Sequence, residues 1–388
     1  MAFKLYPFQE FAVDLLISQK RQLLAYDMGL GKTIIALSAA EKLNLPTLVI
    51  CPAFMKATWE REFKNFKIDD IRINTWANIK FENPVVLIVD ESHYGKNPDS
   101  QRTIAFLEVA KRVSGRSGYV WLLSGTPAKN SAAELYCQLI ATGLEGYPTY
   151  LEFADEFSES FLAKYSQMSR PVVKHRGVRN LEKLRNLYAP LMHVLKAKDV
   201  LDLPLQIKKK IISNFSVFKE EDVAEFRSDA ESFMKKNFST KKLQQAQMNI
   251  STTKSLVEEL KMSFEKIIIF SDHVSPARDF ANHFECGLIT GEVPIGKRDV
   301  IINEFKYSGS VLSCTIGSAG VGLNLQFANC IVFSDSSWSA ADMMQAEKRI
   351  HRIGQEDHCH YFYVVDSGLG EVIHETVQRK MELMEKLK

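Results

Sequence analysis

Three stretches of the chain hold residues whose types and spacing suit phosphate chemistry. In Leu24-Ala-Tyr-Asp-Met-Gly-Leu-Gly-Lys-Thr33 an apolar run ends in a glycine-containing turn and a Lys-Thr pair. Backbone N–H groups of Met28, Gly29, Leu30 and Gly31, with the start of the following helix, would face an anion. Lys32 would reach the β and γ oxygens of a nucleotide, and the Thr33 hydroxyl would ligate Mg²⁺. Leu87-Ile-Val-Asp-Glu-Ser-His93 closes an apolar run on two carboxylates. There Asp90 suits the same metal, directly or through water, and Glu91 would polarise an attacking water. In Gln345-Ala-Glu-Lys-Arg-Ile-His-Arg-Ile-Gly-Gln355, Arg349 and Arg352 stand three apart. On a helix that spacing puts both guanidinium groups on one face, where a closing lobe could present them to a γ-phosphate; such fingers contribute about 10³ to 10⁵ in rate. The expected chemistry is ATP hydrolysis with Mg²⁺, carried by Lys32, Asp90, Glu91, Arg349 and Arg352.

Positioning these groups needs strands that end at them. Thr47 to Cys51 and Pro84 to Asp90 read as buried strands, the second a continuous apolar run suited to the middle of a parallel sheet. Tyr119 to Ser124 is another, closing on Ser124-Gly-Thr-Pro127. Its hydroxyls, Ser124 and Thr126, could join the His93 region and relay between sites. Upstream, Gln9 opens a helix-like stretch from Phe8 to Ser18 and could offer its amide to an adenine edge. Trp59, Lys56 and Trp76 could touch a polynucleotide, although each alone reads better as core or solvated face. A helix from Ala132 to about Leu139 ends this first α/β lobe, residues 1–144.

Residues 145–262 have a different texture, with helical periodicity and high charge, and read as helical protrusions and linker with one short β candidate at Lys208 to Val217. Strand and helix alternation resumes in residues 263–388: Ile267 to Phe270, helix Pro276 to Phe284, Gly287 to Ile289, helix Gly296 to Tyr307, Val311 to Thr315 and Cys330 to Phe333. This second lobe has no Gly-Lys-Thr cradle of its own. Its Ser318 to Asn324 loop, with Gly322 and Asn324, suits close approach to ribose or phosphate. A helix from Ala340 to Ile350 is expected to carry Gln345 and Arg349.

The 388 residues carry a net charge of only +2, so no global field draws the chain to nucleic acid. The charge is uneven, however. Residues 164–198 contain nine Lys or Arg against the single acid Glu182, which leaves the remainder net acidic by about six. Lys174, Arg176 and Arg179 in that stretch are candidate phosphate contacts, as is Thr315 at a strand tip. The six cysteines include no C-x-x-C pair, and strand alternation points Cys359 away from His358 and His360, which argues against a zinc site. The N-terminus has no signal-like layout and no apolar run approaches a membrane span, so a cytoplasmic or nucleoplasmic monomer is expected.

Taken together, these residues resemble the Swi/Snf-type superfamily 2 ATPases over nearly the whole chain. The resemblance rests on Leu5-Tyr-Pro-Phe-Gln9, Asp27-Met-Gly-Leu-Gly-Lys-Thr33, Asp90-Glu-Ser-His93, Leu123-Ser-Gly-Thr-Pro127, the stretch from Met192 to Pro204, and the Gln345 to Gln355 block. Ser92 within the Asp-Glu-x-His block is similar to the annealing-helicase-like branch. The resemblance implies two RecA-like lobes in tandem with helical insertions, and ATP-driven movement on double-stranded or branched DNA. It assigns adenine to Gln9 and coupling to His93, Ser124, Thr126 and Gln345. Two places depart from the family pattern: Tyr26-Asp27 where an Asp-Glu pair is frequent, and His193-Val194 where an Arg pair is frequent. An RNA-stimulated ATPase and an ATP-gated DNA-binding switch are the competing readings.

Overall fold

The structure is a computed structural model that describes residues 4–80, 83–163, 172–228, 233, 238–319 and 323–386. The chain divides into two compact units, 1–201 with 382–388, and 202–381.

The first unit is built on a six-stranded sheet in the order β3-β2-β4-β5-β1-β8, all parallel. The strands are β1 Arg21–Tyr26, β2 Thr47–Cys51, β3 Ile71–Thr75, β4 Val86–Asp90, β5 Tyr119–Leu123 and, later in the chain, β8 Met192–Leu195. In β2 and β4 every residue is buried, because a parallel sheet covered by helices on both faces leaves no polar side to alternate with. Helices Pro7–Gln19, Lys32–Leu43 and Gln101–Gly115 cover it. One face packs Leu23, Leu48, Leu87, Val89 and Leu122 against Phe106, Phe153 and Phe157. The strand order puts the C-terminal tips of β1, β4 and β5 side by side, and the Lys-Thr loop, the acidic pair and the Ser-Gly-Thr-Pro turn begin at those tips.

The second unit repeats the plan: β11-β12-β10-β13-β14-β9, again all parallel. Its strands are β9 Gln206–Ser213, β10 Ile267–Ser271, β11 Gly287–Ile289, β12 Val311–Thr315, β13 Cys330–Phe333 and β14 Cys359–Asp366. Two parallel-sheet domains with covering helices are the α/β architecture expected from the alternation of runs.

The middle of the chain differs from the helical reading. Residues 145–201 belong to the first unit, so the units part at 201/202 and not at 144/145 and 262/263. Glu159–Ala163 (β6) and Val172–Arg176 (β7) pair as an antiparallel hairpin, and β8 adds to the first sheet beside β1. β6 (Glu-Ser-Phe-Leu-Ala), β7 (Val-Val-Lys-His-Arg) and β8 (Met-His-Val-Leu) are too short and too interrupted by polar residues to stand out as apolar runs. The β candidate near Lys208 is real but runs from Gln206 to Ser213, pairing with β14 along eight residues. Of the helical reading, Phe238–Leu260 is a single long helix. No helix among the described residues is long and apolar enough to cross a membrane.

Candidate nucleotide site

β1 runs into the loop Asp27–Gly31, and the helix Lys32–Leu43 starts directly after it. Gly29 and Gly31 have φ of +85° and +77°, a left-handed backbone that glycine adopts without strain, and they turn the chain so sharply that Lys32 opens the helix. A Cβ on Gly31 would come within 2.5 Å of Gln9 Nε2. Gln9, 5% exposed, is therefore packed on the loop: Nε2 donates to Leu30 O (3.2 Å) and Oε1 accepts from Tyr6 N (3.0 Å). Its amide, read above as aimed at an adenine, here fixes the turn.

The Lys32 ammonium curls back over the loop, donating to the carbonyls of Tyr26 (2.8 Å) and Asp27 (3.2 Å), while Thr33 is half-buried one residue on. The loop and the end of β1 are also held by β8 and the segment after it. Asp27 Oδ2 accepts from Ala197 N at 3.0 Å, and Tyr26 Oη meets His193 Nδ1 at 2.9 Å. The two departures from the family pattern thus contact each other. Burial lowers the His193 pKa and raises that of the Tyr26 phenol, so both stay neutral and the contact is an uncharged hydrogen bond.

At the tip of β4, Asp90 is 6% exposed and accepts from Trp59 Nε1 (2.8 Å) and from the Glu91 N–H (2.9 Å); Trp76 Nε1 donates to its carbonyl (3.2 Å). Burial, and after it the adjacent Glu91 charge, push the Asp90 carboxyl up to about 6. Burial also works against ionising Glu91, yet His93 and the Lys32 ammonium hold it below its ordinary range. Of two neighbouring carboxyls, Glu91 gives up its proton first. Glu91 also sits at φ +48°, a strained backbone for a residue with a Cβ, found here at the proposed water-polarising position.

His93 joins this turn to the next strand tip. Its Nδ1 lies 3.2 Å from Ser124 Oγ and 3.2 Å from Glu91 Oε2. The latter is a close contact without hydrogen-bond alignment, leaving Oε2 with no donor. Burial holds the His93 imidazole below its usual pKa. Ser124 Oγ also accepts from Thr126 N at 3.1 Å. A Cβ on Gly125 would stand 2.8 Å from Met28 Cγ and 3.6 Å from Lys32 Nζ, so the Ser-Gly-Thr-Pro turn lies against the phosphate loop. The structure accordingly brings Gln9, Met28 to Thr33, Asp90, Glu91, His93, Ser124 and Thr126 to one edge of one sheet. Trp59 and Trp76 are core residues, the alternative that the sequence favoured over polynucleotide contact, and both hold Asp90. The bonds to Asp90 were not visible in sequence, since indoles 31 and 14 residues from their partner leave no spacing signal.

The donor set fits a nucleotide with a divalent ion. An ammonium, two positive-φ glycines before a helix N-terminus, a hydroxyl at its second residue and a buried carboxylate meet at one place.

The remaining candidates lie elsewhere. Lys174 and Arg176 stand on β7, and Arg179 follows it. Arg176 pairs with Glu159 at 3.3 Å, Lys183 with Glu156, and Lys196 with Glu385 at 4.0 Å, so part of the local basic excess is met by acids from outside the stretch. In the second unit the helix Ala340–Glu347 carries half-buried Gln345 but stops before Arg349. Arg349 and Arg352 therefore do not share a helix face as the spacing suggested; both lie in the irregular turn that follows. Glu347, the last residue of the helix, turns its side chain inward, accepting from Tyr363 Oη (2.6 Å) and Lys208 Nζ (2.7 Å). His351 Nε2 meets Pro204 O at 2.9 Å, and burial lowers the Arg352 pKa. Thr315 is buried at the tip of β12, Asn324 is exposed, and Gly322 lies outside the described residues.

A parallel-sheet domain with a glycine-turned phosphate loop at one strand tip and an acidic pair at the next defines the class of phosphate-loop nucleotide-binding proteins. Comparison with known proteins narrows it. The SNF2-related domain matches residues 8–80 and 78–268, and the helicase conserved C-terminal domain matches residues 248–354. The chain belongs to the SNF2-related family. Among its relatives is the SWI/SNF-related matrix-associated actin-dependent regulator of chromatin subfamily A-like protein 1 of Xenopus laevis, 26% identical over 98% of this chain and 44% of that protein. Another is the DNA annealing helicase and endonuclease ZRANB3 of Bos taurus, 25% identical over 94% of this chain and 38% of the relative. The chain thus spans less than half the length of either. Among solved structures it is similar to a Sulfolobus solfataricus SWI2/SNF2 ATPase core in complex with double-stranded DNA: TM-score 0.43, 24% identity, 99% of this chain and 93% of that one.

Proposed function

We propose that the chain is an ATP-dependent translocase on double-stranded or branched DNA. One observation carries this reading: Lys32, Asp90, Glu91, His93 and Ser124 meet at adjacent strand tips, linked by Nδ1 of His93 at 3.2 Å from both Glu91 and Ser124. The loop N–H groups and Lys32 bind the phosphates, and Thr33 and Asp90 hold Mg²⁺. When bound, the ion neutralises charge on the phosphate oxygens. Glu91, ionised before Asp90, orients water and accepts its proton. His93 ties that carboxylate to Ser124, so movement of the Ser-Gly-Thr-Pro turn reaches the hydrolytic group. Arg349 and Arg352 of the second unit stabilise charge on the transferring phosphate. DNA as the polymer is supported by family membership and by a relative named as a DNA annealing helicase.

Steady-state ATPase at fixed salt tests this, with no nucleic acid, blunt duplex, single-stranded DNA, branched DNA and duplex RNA, and with Lys32→Ala as blank. Stimulation by duplex or branched DNA is expected. Greater stimulation by RNA would replace the reading with an RNA-dependent one.

A further inference from the structure

Two side chains outside the set assigned above join the region of the Asp90–His93 turn to that of the Ser124–Pro127 turn. Gln138, fully buried in the helix Tyr136–Thr142, accepts from Ser92 Oγ at 2.7 Å through Oε1. Its Nε2 donates to Pro127 O (2.6 Å) and Glu134 O (3.0 Å). These partners fix the amide's orientation, because reversing it would aim its oxygen at two carbonyl oxygens; Ser92 must therefore be the donor. Four residues earlier, the Glu134 carboxylate accepts from Lys96 Nζ (2.6 Å) and from the N–H groups of Lys129 (2.6 Å) and Asn130 (3.3 Å). Lys96 lies three residues past the first turn, and Lys129 and Asn130 two and three past the second. From one helical segment, Gln138 thus joins the two turns and Glu134 the segments just beyond them. Buried polar links of this kind, fully satisfied, leave the two turns little freedom to move separately.

We infer that Gln138 is a positioning residue through which displacement of the Ser124–Pro127 turn reaches the Asp90–Glu91 carboxylates, alongside the His93–Ser124 contact. The inference rests on the DNA-stimulated ATPase reading above. If the bridge carried only fold stability, breaking it would lower the melting temperature while leaving the response to DNA intact.

The test is ATPase with and without duplex DNA for wild type, Ser92→Ala, Gln138→Leu and the double variant, each with its thermal midpoint. Both single variants are expected to keep a near wild-type rate without DNA and lose about five-fold or more of the stimulation ratio. The double variant is expected to lose no more than the worse single, since all three sever one link. A wild-type ratio in Ser92→Ala and Gln138→Leu overturns the inference. So do losses that multiply in the double variant, or a double variant that regains stability and stimulation together. Wild type that no nucleic acid stimulates would instead sink the functional reading and this inference with it.

Discussion

The indole N–H of Trp59 donates a 2.8 Å hydrogen bond to Oδ2 of Asp90, from a helix whose only buried residue is that tryptophan. The bond favours the carboxylate over the acid, and it opposes the burial that pushes Asp90 up to about 6. Replacing Trp59 with Phe keeps the ring and removes the donor. Because that indole orients a carboxylate assigned to Mg²⁺, its loss should raise the Mg²⁺ concentration needed for half-maximal ATPase by about ten-fold or more. An unchanged Mg²⁺ dependence would show that Trp59 does not tune Asp90.

Asp90 also links pH to stability. Its folded pKa lies above its unfolded one, so the native state holds a proton that the unfolded chain releases. The stability it contributes is full below about pH 4 and is lost as pH rises through about 6. Asp90→Asn removes that loss. Because both Asp90 oxygens accept from N–H groups, the amide loses one bond at every pH, so the effect on melting should be more favourable at pH 8 than at pH 4.5 by an amount reflecting about 2 kcal/mol. Turnover should vanish at both. Equal effects on melting at the two pH values would contradict the buried-carboxylate account.

Arg349→Ala and Arg352→Ala should each lower kcat by about 10³ or more while leaving nucleotide affinity nearly unchanged, as expected of groups that act on charge developing in the transition state. Fluorescent-nucleotide binding measured beside turnover separates the two. An effect confined to affinity would remove both arginines from catalysis.

Neutralising Lys174, Arg176 and Arg179 should flatten the salt dependence of DNA binding by about 0.9 log units per log salt for each lost phosphate contact. Arg176 already pairs with Glu159 at 3.3 Å, so its share should be the smallest of the three. An unchanged slope would make β7 a solvated strand.

Glu91→Gln should bind ATP as wild type does and fail to hydrolyse it. Trapping of the bound nucleotide over hours is the readout; ordinary product formation would end its assignment as the residue that activates water.

Much of the site can be read in the sequence because its parts are local. Met28 to Thr33 and Asp90 to His93 are each contiguous, and a turn, a helix start and a strand tip follow from short-range rules. The strands behind them were legible for a similar reason: β2, β4 and β10 are buried on both faces and so read as unbroken apolar runs. The hairpin β6–β7 was not, because Glu-Ser-Phe-Leu-Ala and Val-Val-Lys-His-Arg hold only two or three apolar residues in a row. The partners of Glu347 were also invisible, since Tyr363 and Lys208 are 16 and 139 residues away.

By itself, then, the sequence determined the chemical inventory: a phosphate loop, an acidic pair, a hydroxyl turn and two sheets to carry them. Only tertiary structure decided the partnerships. Trp59 with Asp90, Tyr26 with His193, and Gln138 between Ser92 and Pro127 are contacts of strand tips with helices or with a neighbouring strand that the parallel order brings together. In such a sheet neighbouring tips come from distant parts of the chain, so the hydrogen bonds that tune and link the catalytic groups depend on strand order, which local spacing does not encode.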